Sequence, residues 1–134
     1  MSFELKVIST SQEIEQSLEF LRVHFFPREP CAQNLDLCPL GYQIPALEQS
    51  IEDILSLNLS IGAFQDGDLI GIVILDSKGT EVEPNGDKIC SKYPEKFQKL
   101  DRFFTDLCTN YGKLDIFERL KAQKILDIFI ICTR

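Results

Sequence analysis

A tight hairpin followed by a long apolar run is the feature of this sequence that most limits its fold. Asp66-Gly67 separates two strand-like segments, Leu59 to Gln65 and Asp68 to Leu75. An Asp-Gly pair favours a type I′ turn, because both turn residues need a positive φ. The second segment is almost continuously apolar from Leu69 onwards, which predicts a strand covered on both faces. We therefore expect an α/β fold, with helices on both faces of a mixed central sheet.

The residues before the hairpin predict one strand and two helices. Phe3 to Ile8 alternates as a strand, and Thr10 and Glu13 have the spacing of a capping box at the start of a helix. The buried face of this helix should comprise Ile14, Leu18, Leu21 and Phe25, with Glu15, Glu19 and Arg22 in water. Pro27 and Pro30 should end it. Residues 31–44 lack periodicity and predict a long loop, and Pro45 then fits the first turn of a second helix that carries Glu48 near its N-terminus.

The residues after the hairpin predict two helices and a last strand. Residues 76–92 are polar and rich in turn formers. Apolar residues at helical spacing then mark a third helix (Phe97, Leu100, Phe103, Phe104, Leu107) and a short fourth segment (Leu114, Phe117, Leu120). Ile125 to Cys132 is short and rich in β-branched residues, so we expect a buried strand. A length of 134 residues suits one domain over 1–134.

Composition narrows the classes of partner. Fourteen basic and twenty-one acidic residues give a net charge of −7, which opposes binding to nucleic acid and would attract a cationic amine. The acidic surplus can equally serve solubility alone. Five cysteines without a C-x-x-C pair, together with one histidine, argue against zinc and against a disulfide framework. No segment is typical of a leader or a membrane span, so we expect a reducing, cytoplasmic setting.

A family resemblance depends on the segment Phe25-Phe26-Pro27-Arg28-Glu29-Pro30. Together with the long loop, the second helix, the hairpin and the strand at Leu126 to Ile130, it resembles the insect-type arylalkylamine N-acetyltransferases of the GNAT superfamily. The sequence ends at Arg134, where that family begins its cofactor-binding loop. The loop's Arg/Gln-x-x-Gly-x-Gly/Ala motif occurs nowhere in the 134 residues. The resemblance therefore implies a single, incomplete acetyltransferase-like domain, truncated after the fourth strand.

The resemblance also implies site residues. Glu29 matches the catalytic base, and Phe25, Phe26 and Arg28 frame it as substrate contacts. The substrate would be a primary amine and the co-substrate acetyl-CoA, held at the strand end by Cys132 and Thr133. Because the pyrophosphate-binding motif is missing, we expect no tight acetyl-CoA binding by this chain, and no metal.

Each of these residues also has an ordinary structural interpretation. Glu29 can be a solvated loop carboxylate, Phe25 the last core residue of its helix, and Cys132 a simple buried cysteine. Phe26 is then the better substrate contact. His24 lies off the apolar face, so we expect it to be a solvated helix residue. The sequence shows no residue that would orient it as a base.

Two departures from the family pattern bear on the substrate. Pro27-Arg28 stands where a basic-acidic pair commonly precedes the glutamate, and Cys31 replaces an aliphatic residue. A guanidinium beside Glu29 would favour the ionised carboxylate and repel a cationic amine. The substrate is therefore expected to differ from the catecholic and indolic amines typical of the family, or activity to be low.

Two functions fit the sequence. The first is an N-acetyltransferase acting on a primary (aryl)alkylamine, of which the chain is the substrate-side part. The second is an inactive, truncated relative that acts as a protein-interaction module, in which the exposed last strand pairs with another chain or with a second copy.

Overall fold

The computed structural model describes residues 2–39, 43–79, 93–111 and 116–134. The elements in chain order are β1 (Glu4–Val7), α1 (Ser11–His24), α2 (Pro30–Asn34), α3 (Pro45–Leu55), β2 (Ile61–Gln65), β3 (Asp68–Gly79), α4 (Glu95–Tyr111), α5 (Ile116–Leu120) and β4 (Lys124–Thr133). They group into two compact units, Met1–Asp76 with Asp127–Arg134, and Ser77–Leu126. The single domain expected over residues 1–134 stays a prediction.

The four described strands form one sheet in the order β1-β2-β3-β4. β1 pairs antiparallel with β2, and β2 with β3. The hairpin is confirmed, because Asp66 and Gly67 join β2 to β3 with φ values of 53° and 89°. The pairing shifts after Ala63, which opposes Gly71, while Phe64 opposes Leu69. This bulge leaves one extra residue in β3 and bends the strand.

Helix α1 begins as the sequence predicts. Thr10 accepts a hydrogen bond from the backbone N–H of Glu13, and the Glu13 carboxylate accepts one from the N–H of Thr10, which completes the capping box. Lys6 of β1 also binds the Glu13 carboxylate, with 2.9 Å between Nζ and Oε1. Hydrogen bonds from Lys6 and from the Ser9 and Thr10 backbone lower the pKa of Glu13 to about 2. The cap therefore ties the helix start to the sheet.

Helices α1 and α3 contact each other and bury the core of the first unit. Leu18 and Leu21 of the predicted apolar face are buried, as are Ile51 and Leu55 of α3. The expectation that Arg22 stays in water was wrong, because its guanidinium lies against Glu48 of α3. The pairing is tertiary and so leaves no mark in the local pattern.

Strand β3 is covered as predicted, since no residue from Leu69 to Leu75 is exposed. Strand β4 is not the buried strand that its composition predicted. Ile130 and Cys132 are buried, but four of its apolar residues are more than 40 % exposed: Leu126, Ile128, Phe129 and Ile131. β4 lies at the end of the strand order, so its second edge has no partner strand among the described residues. Composition identified the strand correctly but not its burial, and the exposed edge is the one that the interaction-module alternative assumes.

The remaining expectations can be compared with the described ranges. The third helix and the short fourth segment are confirmed as α4 and α5, although Leu114 lies outside the described residues. So does most of the turn-rich stretch after Asp76, whose first residues, up to Gly79, extend β3. Within the described ranges no helix is long and apolar enough to cross a bilayer. The same ranges contain no group of three or more side chains that could hold a metal ion.

Candidate functional site

A hydrogen-bonded turn follows α1 and fixes the backbone before Glu29. The N–H groups of Phe25 and Phe26 both donate to the carbonyl of Leu21, at 3.0 and 2.9 Å. The N–H groups of Arg28 and Glu29 both donate to the carbonyl of Phe25, each at 2.9 Å. α1 thus ends at His24, and the N–H groups that follow it satisfy a carbonyl of its last turn. Glu29 is held by the fold rather than on a free loop.

Glu29 is the N-cap of α2. Its Oε2 accepts a hydrogen bond from the backbone N–H of Ala32 at 2.5 Å. The N–H of Gln33 donates to the Glu29 carbonyl at 2.9 Å, and the Gln33 amide donates to the carbonyl of Pro27 at 3.0 Å. The loop expected over residues 31–44 was therefore wrong at its start, because Pro30 opens a helix. Proline at the first helical position is a favourable start that the sequence displayed.

Glu29 is half-buried, unlike a solvated loop carboxylate. Two thiols lie near it. Burial, the negative charge of Glu29 and a hydrogen bond to its carboxylate raise the pKa of Cys31. Burial and the same negative charge raise the pKa of Cys38. Both groups therefore stay protonated at neutral pH and cannot serve as thiolate nucleophiles.

The end of β4 lies within electrostatic reach of the same turn. Burial raises the pKa of Cys132, and the positive charge of Arg28 opposes this shift. Arg28 itself is exposed. The turn after α1 and the end of β4 are far apart in the sequence, and the fold brings them together. Arg28, Glu29 and Cys132, three of the residues assigned by resemblance, thus lie in one region.

The backbone at the end of β4 has a free edge. The N–H of Arg134 donates to the carbonyl of Ile70 in β3 at 3.2 Å. Because backbone groups alternate in direction along a strand, the N–H and C=O of Thr133 point away from β3. The Thr133 carbonyl accepts a hydrogen bond from the Cys132 thiol, at 3.8 Å from Sγ.

The two phenylalanines are buried in the opposite order to that expected. Phe26 is a core residue, 7 % exposed, whereas Phe25 is half-buried. Their rings meet edge to face, with centroids 5.7 Å apart. The first turn beyond α1 no longer follows helical spacing, so the periodicity that assigned Phe25 to the core failed there. Phe25 is now the more accessible aromatic ring beside Glu29.

His24 was expected in water and is not. Its ring lies against Phe20, with 4.6 Å between centroids. Its Nδ1 is buried and has no hydrogen-bond partner among the described residues. The spacing of four residues from Phe20 on a helix was the signal that could have predicted this contact.

Comparison with known proteins gives the fold. No family model matches the chain, and no curated protein matches it by sequence. Among solved structures, arylalkylamine N-acetyltransferase 2 from Aedes aegypti is similar with a TM-score of 0.89 at 23 % identity, over 100 % of this chain and 62 % of that one. A Drosophila melanogaster polyamine N-acetyltransferase, which forms N-acetylagmatine, is similar with a TM-score of 0.74 at 17 % identity, over 98 % of this chain and 60 % of that one.

A third structure, an agmatine N-acetyltransferase variant in its apo form, is similar with a TM-score of 0.78 at 16 % identity, over 99 % of this chain and 60 % of that one. The chain thus spans about three-fifths of the length of these structures, 62 % in the first case. The predicted α/β class and acetyltransferase-like fold are confirmed. The chain has the fold of the GNAT N-acetyltransferases, in the form found in the insect arylalkylamine enzymes.

Proposed function

We propose that this chain is the amine-binding part of an acetyl-CoA-dependent N-acetyltransferase that acts on a primary (aryl)alkylamine. Glu29 is its general base. The observation that carries this proposal is the meeting of the Glu29 turn with the end of β4 in a GNAT fold. The solved neighbours are named for arylalkylamines, a polyamine and agmatine, which supports an amine as substrate.

The chemistry requires a base because an alkylamine is mostly ammonium at neutral pH. Glu29 has the features of such a base. Its backbone is fixed by the turn after α1, and its carboxylate is oriented by the N–H of Ala32. Since Cys31 and Cys38 remain protonated, Glu29 is the proton acceptor among these neighbours. A proton can pass to it from the ammonium directly or through water.

The co-substrate would supply the acetyl group as a thioester. Cys132 and Thr133 would hold it through the backbone at the end of β4, where the N–H and C=O of Thr133 point away from β3. Phe25 would contact an aromatic or aliphatic part of the amine, because it is the more accessible ring beside Glu29. Phe26 supports Phe25 from the core.

The test is Glu29→Gln, measured in the protein with its cofactor-binding part in place. Glutamine has the same shape and can still accept from Ala32, but it is not basic. Turnover should fall about 10² to 10⁴-fold with little change in KM for the amine, since general-base catalysis contributes that range. Glu19→Gln, an exposed position on α1, is the matched control and should leave turnover unchanged. Near-normal turnover in Glu29→Gln would refute the assignment.

A second candidate function is favoured by the edge of β4. An edge strand with exposed Ile128, Phe129 and Ile131 can pair with a strand of another chain or of a second copy. In this reading the chain is an inactive interaction module. Sedimentation at tens of micromolar should then show a dimer that Ile131→Lys dissociates. A monomer under these conditions would remove the reason for this alternative.

We propose a reducing, cytoplasmic setting for either function. Cys31, Cys38 and Cys132 are free thiols, which supports this choice. The net charge of −7 opposes a nucleic acid partner.

A further inference from the structure

Arg28 is an unsatisfied charge at the candidate site. Its side chain is exposed, and its guanidinium forms no hydrogen bond or ion pair within the described part of the chain. Arg22, six residues earlier, shows the contrast, because its guanidinium binds Glu48 and Glu15. Surface arginines are commonly solvated, so exposure alone assigns no role. A role for Arg28 must therefore be argued from its position in the fold.

The backbone of Arg28 is fixed next to the candidate base. Its N–H donates to the carbonyl of Phe25 at 2.9 Å, and Pro27 precedes it in the same turn. Arg28 and Glu29 are consecutive, so their Cα atoms are about 3.8 Å apart. The charge of Arg28 also acts on Cys132 at the end of β4. Arg28 therefore adjoins the candidate base in the turn after α1.

This pair of opposite charges discriminates between amines. A simple alkylammonium beside Glu29 is attracted by the carboxylate and repelled by Arg28, so the two effects oppose each other. An amine that also carries a carboxylate, a few bonds from its amino group, can place its positive charge at Glu29 and its negative charge at Arg28. Guanidinium binds carboxylate with two parallel hydrogen bonds when the geometry allows. The site therefore suits a zwitterion better than a plain amine.

We propose that the acceptor amine of this protein carries a carboxylate, which Arg28 binds while the amino group faces Glu29. The inference rests on the proposed acetyltransferase function and names its substrate class, an amino acid. Arg28 is thus a specificity-determining residue. The carboxylate is assigned to the amine rather than to a phosphate of the acetyl donor, because Arg28 adjoins the residue that would receive the amine's proton.

Calorimetric titration with a matched pair of ligands tests the proposal. Phenylalanine and phenethylamine share the ring and the amino group and differ by one carboxylate. We expect the protein to bind phenylalanine about tenfold more tightly, and Arg28→Gln to abolish or reverse that ratio. Arg28→Lys, which keeps the charge but not the planar pair of donors, should retain part of the preference. Arg102→Gln, at an exposed position on α4, should change nothing.

Three results would overturn the inference. They are an equal or weaker affinity for phenylalanine in the unchanged protein, an affinity ratio that Arg28→Gln leaves intact, and a loss confined to acetyl-CoA binding in that variant. Turnover separates this inference from the proposed function. If phenylalanine binds through Arg28 but is not acetylated when the cofactor-binding part is present, the acetyltransferase proposal fails while the binding site stands.

Discussion

The guanidinium of Arg22 binds the carboxylate of Glu48 through two hydrogen bonds, Nε to Oε1 at 3.0 Å and Nη2 to Oε2 at 2.8 Å. This pair joins α1 to α3, and α1 ends in the turn that carries Glu29. The side chains are 21 % and 13 % exposed, so neither charge is fully solvated. Loss of one partner would leave the other partly buried and uncompensated.

Glu48→Gln should therefore lower the free energy of unfolding by about 1–3 kcal/mol. Urea titration monitored by circular dichroism measures it. Glu52→Gln, at an exposed position on the same helix, is the matched control and should stay within about 0.5 kcal/mol of the unchanged protein. Equal effects of the two variants would show that the pair contributes nothing specific.

The Glu13 cap predicts a pH dependence of stability. Its pKa in the folded chain is about 2, below the ordinary value of 4.5. The ionised carboxylate is thus favoured by folding, and its contribution is present above pH 4.5 and is lost as the pH falls towards 2. Glu13 is 15 % exposed, and screening by water reduces the effect to about 1–2 kcal/mol.

Glu13→Gln is the experiment for this cap. At pH 7 the variant should unfold at lower urea concentration than the unchanged protein, and the difference should shrink steadily from about pH 5 to about pH 2. Glu19→Gln on the same helix serves as control. A difference that stays constant over this interval would mean that the cap is not stabilised by its charge.

Gly62 marks a point of close packing in the sheet. A Cβ atom there would lie 2.6 Å from Phe64 Cε2 and 2.7 Å from Ile8 Cδ1. Both neighbours are buried, so they cannot move aside cheaply. Gly62→Ala should cost about 1–3 kcal/mol of stability. Gly71→Ala, whose Cβ would be 3.4 Å from Thr133 Cγ2, is the matched comparison and should cost less. The reverse order would contradict the packing described.

His24 offers a test of its unpaired nitrogen. His24→Phe keeps a ring against Phe20 and removes the buried Nδ1, which has no partner among the described residues. Removing an unsatisfied polar atom at similar shape is neutral or stabilising, by up to about 1 kcal/mol. A loss of more than about 1 kcal/mol in thermal or urea unfolding would instead indicate that Nδ1 makes a hydrogen bond.

Acetyl-CoA binding tests whether the cofactor site lies within these 134 residues. The sequence lacks the glycine-rich motif that would bind the pyrophosphate at a helix N-terminus. We expect the 134-residue chain to bind acetyl-CoA more weakly than about 1 mM, or about −4 kcal/mol. Calorimetry decides, and tighter binding would show that the cofactor site lies within these residues.

The sequence revealed what short-range chemistry determines. Thr10 and Glu13 act within one turn, and Asp66 and Gly67 need no distant partner, so the cap and the hairpin could be predicted. Features that depend on tertiary neighbours could not be predicted from the sequence. The pairing of Arg22 with a residue of another helix has no local signal.

The candidate site divides in the same way. Glu29 was assigned by resemblance, and its capping of α2 was within reach of the sequence, since Pro30 after an acidic residue is typical of a helix start. The effect of the Arg28 charge on Cys132 could not be predicted, because the two residues are far apart in the sequence and interact only in the folded chain. The exchange of burial between Phe25 and Phe26 follows from a turn whose geometry has no helical period.

The pH dependence of turnover in the unchanged protein and in Glu29→Gln, with the cofactor-binding part present, tests the central claim most directly. If Glu29 is the base, the unchanged protein should lose activity on the acidic side as the carboxylate protonates. Glu29→Gln should be about 10² to 10⁴-fold slower and should lack that acidic limb. A variant with the same limb and near-normal turnover would contradict the account and return Glu29 to the single role of capping α2.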